Sequence, residues 1–295
     1  MKKLILQFFI IIALLISADT LIGVLSEQWI ERLPDSGILE ADMVQSLQHK
    51  SADVLILGSS KAKHSFVPSI FSQSMHLKAY NAGYDGHDVI YASLVLESFL
   101  ERCHPKIVVL GIWNSMLDGS WHSNSIHNCK SLYGVSDRYT DWVECHEPWS
   151  TRLKMQSHLY RINSAMVWML KSYRIGNRNT DGYSPLYEEV KEMKDTPLEG
   201  FIPDEEEVAQ LKHIIQLCRK HHIQLYITLV PDHEIDNGMR AWIANFCKQQ
   251  NVWYRDFTFE PTVYPYASNF ADAGHLSHQG AQIFTRLFIS HITAK

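Results

Sequence analysis

Three short runs constrain this chain more than anything else in it: Val54–Leu57, Ile107–Leu110 and Ile223–Val230. The first two are apolar throughout and the third nearly so. A strand with one face in water alternates apolar and polar residues, whereas a continuously apolar strand is buried on both faces. Weaker strand signals follow at Leu77–Tyr80 and Val252–Phe257. Between the strands lie segments with helical spacing. His87–Arg102 has helical spacing, with Val89, Ile90, Leu94, Phe99 and Leu100 apolar, and Asp204–His222 is amphipathic with Asp204 as N-cap. Ile235–Gln250 and a closing helix His278–Ile292, with Ile283, Phe284, Leu287, Phe288 and Ile292 apolar, complete the set. Buried strands alternating with helices predict a central parallel sheet covered on both faces, a three-layer α/β/α fold.

That fold locates a site before any motif is consulted. In such sheets the ligand crevice lies outside the carboxyl ends of the strands, at a topological switch point. Gly58-Ser59-Ser60, Asn81–Gly86 and Gly111–Asn114 each follow a predicted strand, and Asp272 follows the last one after a loop. A serine hydroxyl is a poor nucleophile until a base takes its proton. His275 is the candidate base for Ser60, and Asp272 can fix its tautomer and stabilise the imidazolium. Attack on an ester carbonyl creates an oxyanion that needs fixed donors. The N–H groups of Ser60 and Gly86 and the side chain of Asn114 are the candidates. His233 and His278 lie nearby, but a third metal ligand is not evident, so no metal or other cofactor is expected.

The N-terminus is of another kind. Met1-Lys2-Lys3 precedes an apolar run, Leu4–Ala18, and after Asp19 the apolar character resumes through Leu25. A spanning helix needs about 20 apolar residues. Residues 1–25 are therefore expected to be an uncleaved membrane anchor, with the rest of the chain extracytoplasmic because lysines favour the cytoplasmic side. The competing reading is a signal peptide, against which Ile16 is bulky for the position three before a cut after Ala18. Residues 26–50 read as a linker and 51–295 as the catalytic region. The net charge of −5 gives no electrostatic reason to bind nucleic acid. Of the five cysteines, Cys218 and Cys247 fall in helical patterns as small buried hydrophobes. Cys129 and Cys145 form a disulfide or remain two free thiols. The acidic clusters Glu188–Glu199 and Asp204–Glu207 read as solvated helix starts.

From about 115 to 203 the alternation breaks down. The stretch carries Trp121, Trp142, Trp149 and Trp168 and one helical piece near Leu159–Tyr173, and is too long for an ordinary connection. It is expected to be a large irregular insertion packed over the crevice, where tryptophans could stack on sugar rings or simply pack a core.

These blocks resemble the SGNH, or GDSL-type, hydrolase superfamily, whose sheet is flavodoxin-like. The likeness covers roughly Asp53–Gly111 and Gln224–Lys295. Gly58-Ser59-Ser60 stands where that family has Gly-Asp-Ser, making Ser60 the matching nucleophile. Asn81–Gly86 resembles its second block, whose final glycine gives an oxyanion N–H. Asp272–Gly280 matches its last block, Asp-x-x-His with Leu, a small polar residue and Gly. The third block departs: Gly111-Ile-Trp-Asn114 has one extra residue, and Ser115 replaces an aspartate. Ser59 and the N-terminal apolar segment resemble the membrane-tethered branch that handles cell-envelope polymers, including proteins of teichoic-acid D-alanylation and exopolysaccharide O-acetylation. The resemblance implies an esterase or O-acyltransferase acting on acyl groups, acetyl foremost, of a surface glycan, and a membrane-bound O-acyltransferase as partner. A fold retained as an inactive assembly or binding component is the alternative.

Overall fold

The computed structural model describes residues 2–36, 43, 46, 49–120, 127–178 and 180–294, apart from the side chains of Glu27, Glu31, Asn114, Ser164 and Ala165. In chain order, α1 (Lys2–Glu31) precedes β1 (Val54–Gly58), α2 (Ser60–Ser65), α3 (Pro68–Met75), β2 (Ala79–Asn81), α4 (Val89–Arg102) and β3 (Ile107–Ile112). Next come α5 (Asp137–His146), α6 (Trp149–Met155), α7 (His158–Ile175), β4 (Thr196–Leu198) and α8 (Glu205–Lys220). The chain closes with β5 (Gln224–Leu229), β6 (Glu234–Asp236), α9 (Asn237–Gln249), β7 (Trp253–Asp256) and α10 (His278–Thr293).

Five strands form one parallel sheet in the order β2-β1-β3-β5-β7. The chain runs outward from β1 to β2, then returns to the other side of β1 for β3, so the switch point lies between β1 and β3. Side chains alternate across the sheet, and the two faces feed two cores. Leu55, Leu57, Val108 and Leu110 join the core that holds α4, α8 and α9 through Phe99, Ile214 and Ile243. Val54, Ile56 and Val109 join the other, with Phe66 and Phe71 and with Phe284 and Phe288 of α10. The three-layer expectation holds, and each of the five strands of this sheet lies within two residues of its expected position; the short pair β4 and β6 was not expected.

The stretch after β3 differs from expectation. Residues 137–175 are mostly helical, with Ser136 and Ser157 accepting N–H bonds as the N-caps of α5 and α7. Tyr139, Val143, Met155 and Met169 are buried in the α4/α8 core. Helices α5 to α7 therefore flank the helical layer and α1, while Asp181, Ser184 and Thr196 bond to segments at the carboxyl edge, through Asn81, His64 and His233. Trp149 is 71% exposed, Trp142 packs against the core, and Trp121 lies outside the described residues. Of the two acidic clusters, 188–195 forms no helix, whereas Asp204–Glu207 does start α8 as expected, with Glu207 fully buried instead of solvated.

Cys129 and Cys145 are free. The first is buried beneath α4, where burial pushes its thiol up, and the second is exposed on α5. Iodoacetamide is expected to modify Cys145 in the native chain and to spare Cys129. Peptide mapping that finds the two joined, or equally labelled, would contradict this placement.

Helix α1 is 30 residues long, about 45 Å at 1.5 Å per residue. By length and composition Lys2–Ile30 is able to cross a membrane. Asp19 interrupts its apolar run for a local reason: its carboxylate accepts the Ser157 hydroxyl at 2.7 Å and the N–H groups of His158 and Leu159 at 2.8 and 3.0 Å. It thus satisfies the open N-terminus of α7. Ser26, Ile30 and Leu33 are buried. Asp35 accepts the Thr180 hydroxyl and the Asp181 N–H, each at 2.7 Å, so the described part of 26–50 is packed down.

Candidate active site

The crevice at the β1/β3 switch point holds Ser60. Gly58, the last residue of β1, has φ +139, and a Cβ there would meet the Gly111 carbonyl at 2.3 Å; only glycine turns the chain this sharply. Ser59 is buried and caps the following turn through the Lys61 N–H. Ser60 then becomes the first residue of α2, where a backbone N–H has no intrahelical acceptor. The Asn81 side chain fixes this turn from the neighbouring strand. Its amide donates to the Ala62 and Phe66 carbonyls at 2.9 Å each, and its oxygen accepts the Gly83 N–H at 3.0 Å.

The loop before α10 brings the candidate base, His275. The Ser60 hydroxyl donates to His275 Nε2 at 2.8 Å. His275 Nδ1–H donates to both oxygens of Asp272, at 2.9 and 3.0 Å. A carboxylate only accepts, so the Nδ1 proton is required and Nε2 is left with its lone pair toward Ser60. Burial pushes the Asp272 carboxyl up. The hydrogen bond and charge of His275 and the Gly274 N–H outweigh it and bring it down to about 2. The carboxylate is therefore charged through the whole neutral range, as a tautomer-fixing group needs to be.

The candidate oxyanion donors lie on the same edge. Gly86, at φ +68, forms the turn after β2, next to Asp85. Asn114 opens a single 3-10 turn, Asn114–Met116, directly after β3. Its side chain lies outside the described residues.

Several polar residues of the site had no sequence signal. Lys61, 1% exposed, forms an ion pair with Asp232 at 2.6 Å and Glu234 at 3.1 Å, and its ammonium lies 5.5 Å from the centre of the Trp113 ring. It joins the serine turn to the β5–β6 connection. That connection holds the histidine loop in turn, since the His233 N–H donates to the Ala273 carbonyl at 3.1 Å. Burial pushes the Asp232 carboxyl up, with the Lys61 charge acting against the shift. His64 stands edge-on to His275, ring centres 5.4 Å apart. Its Nδ1 faces the Ser184 carbonyl at 2.7 Å and its Nε2 the Asp85 carboxylate at 3.2 Å. Both partners only accept, so the ring satisfies both only with a proton on each nitrogen. Burial pushes the Asp85 carboxyl up, but the His64 hydrogen bond and nearby positive charges hold it below its ordinary value. His233 bonds Asp195 at 2.7 Å and stacks on Tyr264, and His278 bonds Tyr183 and Gln282. Among the described residues no acid, histidine and cysteine cluster of metal-site form occurs.

Ser60, His275 and Asp272 thus form one hydrogen-bonded chain at the edge of a parallel α/β sheet. No family model matches the chain, and no curated protein matches it in sequence. Similar solved structures include a protein from Streptococcus pneumonia described as a platelet activating factor, with 11% identity, TM-score 0.46, and 91% of this chain and 96% of that one covered. Another is a protein from Desulfitobacterium hafniense described as lipolytic and of the G-D-S-L family, with 11% identity, TM-score 0.44, and 81% and 98% covered. A third is a GDSL-like lipase from Bacteroides thetaiotaomicron, with 11% identity, TM-score 0.40, and 81% and 86% covered.

Proposed function

We propose that this chain is an extracytoplasmic, membrane-anchored serine esterase or O-acyltransferase of SGNH type, acting on acyl groups, acetyl foremost, of a cell-surface glycan. The observation that carries the chemistry is the unbroken relay from Ser60 Oγ through His275 to Asp272, with 2.8 and 2.9 Å contacts. In this reading residues 1–25 anchor the chain, 26–50 connect, and 51–295 do the chemistry. Ser60 Oγ attacks the ester carbonyl while its proton passes to His275 Nε2. The Ser60 and Gly86 N–H groups and the Asn114 amide hold the oxyanion. Collapse expels the glycan alkoxide, which takes the proton from His275 and leaves an acyl-serine. His275 then deprotonates the second acceptor, which attacks the acyl-serine; the bond from acyl carbon to Ser60 Oγ breaks, and Oγ takes the proton back from His275. Water gives hydrolysis and a sugar hydroxyl gives transfer. A membrane-bound O-acyltransferase is the partner this reading expects.

The altered third block, with Ser115 after Asn114, favours the second reading, an inactive assembly component. A fluorophosphonate probe separates the two. The active enzyme is expected to be labelled on the peptide carrying Ser60, and to release acetate from an acetylated glycan. Added acceptor sugar lowers acetate release if transfer dominates. Folded protein that neither labels nor releases acetate leaves the assembly role.

A further inference from the structure

The relay leaves one buried acid unused. Glu207, in the first turn of α8, is 0% exposed, as is Asp88. One Glu207 oxygen accepts the Gly119 N–H at 2.9 Å; the other, Oε1, is buried with no hydrogen-bond partner among the described residues, and the Asp88 carboxyl lies beside it. Asp88 is the N-cap of α4, accepting the Ile90 and Tyr91 N–H groups at 2.9 and 3.2 Å. Two carboxyl groups can hydrogen-bond each other only through a proton. Their positions in the chain matter more than their number. Asp88 lies two residues after Gly86. Gly119 closes the loop that begins at Asn114, and that loop is held a second time where the Asp204 N–H meets the Leu117 carbonyl at 2.7 Å.

We propose that Glu207 is a positioning residue for the oxyanion side of the site, its carboxyl bridging the Gly119 N–H and Asp88 and so joining the loop that carries Gly86 to the loop that carries Asn114. The catalytic consequence rests on the esterase reading; the physical tie does not. Burial, with the Asp88 charge adding and the Gly119 N–H opposing, pushes the Glu207 carboxyl up to about 8. Asp88 from α4 and Asp204 on its own helix are the charged groups that face it, and the Cys129 thiol lies beside Asp88. An acid raised in the folded state binds its proton more tightly there than when unfolded. The stability from this proton is complete below the ordinary glutamate value of 4.5 and is lost as pH rises to about 8.

The test compares full-length wild type, Glu207→Gln and Glu207→Leu in detergent micelles. Glutamine can donate to Asp88 and accept from Gly119 without titrating. Hydrogen exchange is expected to quicken in Glu207→Leu at both the 83–91 and 113–119 segments and to stay at the wild-type level in Glu207→Gln. With p-nitrophenyl acetate, Glu207→Leu is expected to lose about 100-fold in kcat with little change in KM, the scale of a misplaced oxyanion donor. Wild-type kcat is expected to decline above about pH 8, where the shared proton leaves, and Glu207→Gln to lack that decline. Unchanged exchange in both segments of folded Glu207→Leu overturns the tie, whether or not the enzyme turns over. Unchanged kcat in Glu207→Leu, or an alkaline decline that persists in Glu207→Gln, overturns its catalytic consequence. A wild type that neither turns over nor labels at Ser60 sinks the esterase reading instead, and the exchange data still decide the tie.

Discussion

Ser60→Ala is expected to lower hydrolysis of an acyl ester by about 10⁴-fold or more without unfolding the protein. The hydroxyl is held by His275 at 2.8 Å, and no other group stands between base and substrate in the proposed mechanism. Its loss removes covalent catalysis while leaving the oxyanion donors, so a residual rate above that in water is expected. The energetic weight of Ser60 in the fold is small. Ser59 caps the turn, and Asn81 holds it through the Ala62 and Phe66 carbonyls. Because Ser60 and His275 act as one unit, Ser60→Ala combined with His275→Ala is expected to be little worse than either alone. Steady-state rates on p-nitrophenyl acetate and on an acetylated glycan check this. Retention of a tenth of wild-type activity by Ser60→Ala would sink the assignment of the nucleophile.

The second large effect is structural. Lys61→Met is expected to destabilise the fold by about 3–5 kcal/mol, because it leaves a buried acid without its counter-charge. The Asp232 side chain is 10% exposed and lies 2.6 Å from the ammonium. With Lys61 gone, Asp232 escapes part of the cost by taking up a proton. That escape is easiest at low pH, so the loss is expected to grow from pH 5 to pH 8. Denaturant midpoints at the two pH values provide the measurement. The double variant Lys61→Met with Asp232→Leu is expected to recover much of the loss, since an apolar pair can replace a buried ion pair. An unchanged midpoint in the single variant would mean that the pair contributes nothing.

The layered fold was legible because it depends on pattern. A run such as Ile107–Leu110 has no stable place except between two apolar layers, and the helical stripes supply those layers. Ser60, His275 and Asp272 were legible for a related reason. Each follows a strand or precedes a helix, and the fold gathers such positions at one edge. Lys61, Asp85 and Glu207 were not. A lysine inside a six-residue helix and a glutamate in an acidic first turn look solvated in sequence. Their buried partners, Asp232 from a loop 171 residues away and Asp88 at the N-cap of α4, become visible only in the fold. Helices α5 and α7 were partly hidden because their tryptophans and tyrosines carry weak helical preference, and tertiary packing overrides it.

The capping of α7 by Asp19 has a consequence for reach. A chain tethered by a slack linker explores a volume set by the linker's length. Here the α1 helix is fastened to the body of the protein within its own length, through Ser157, His158 and Leu159. On the reading that α1 crosses a bilayer, the serine edge works at one altitude above the lipid, like a tool on a short mast. It would sweep a plane as the protein diffuses, meeting acyl groups that pass at that height and missing those further out in the envelope.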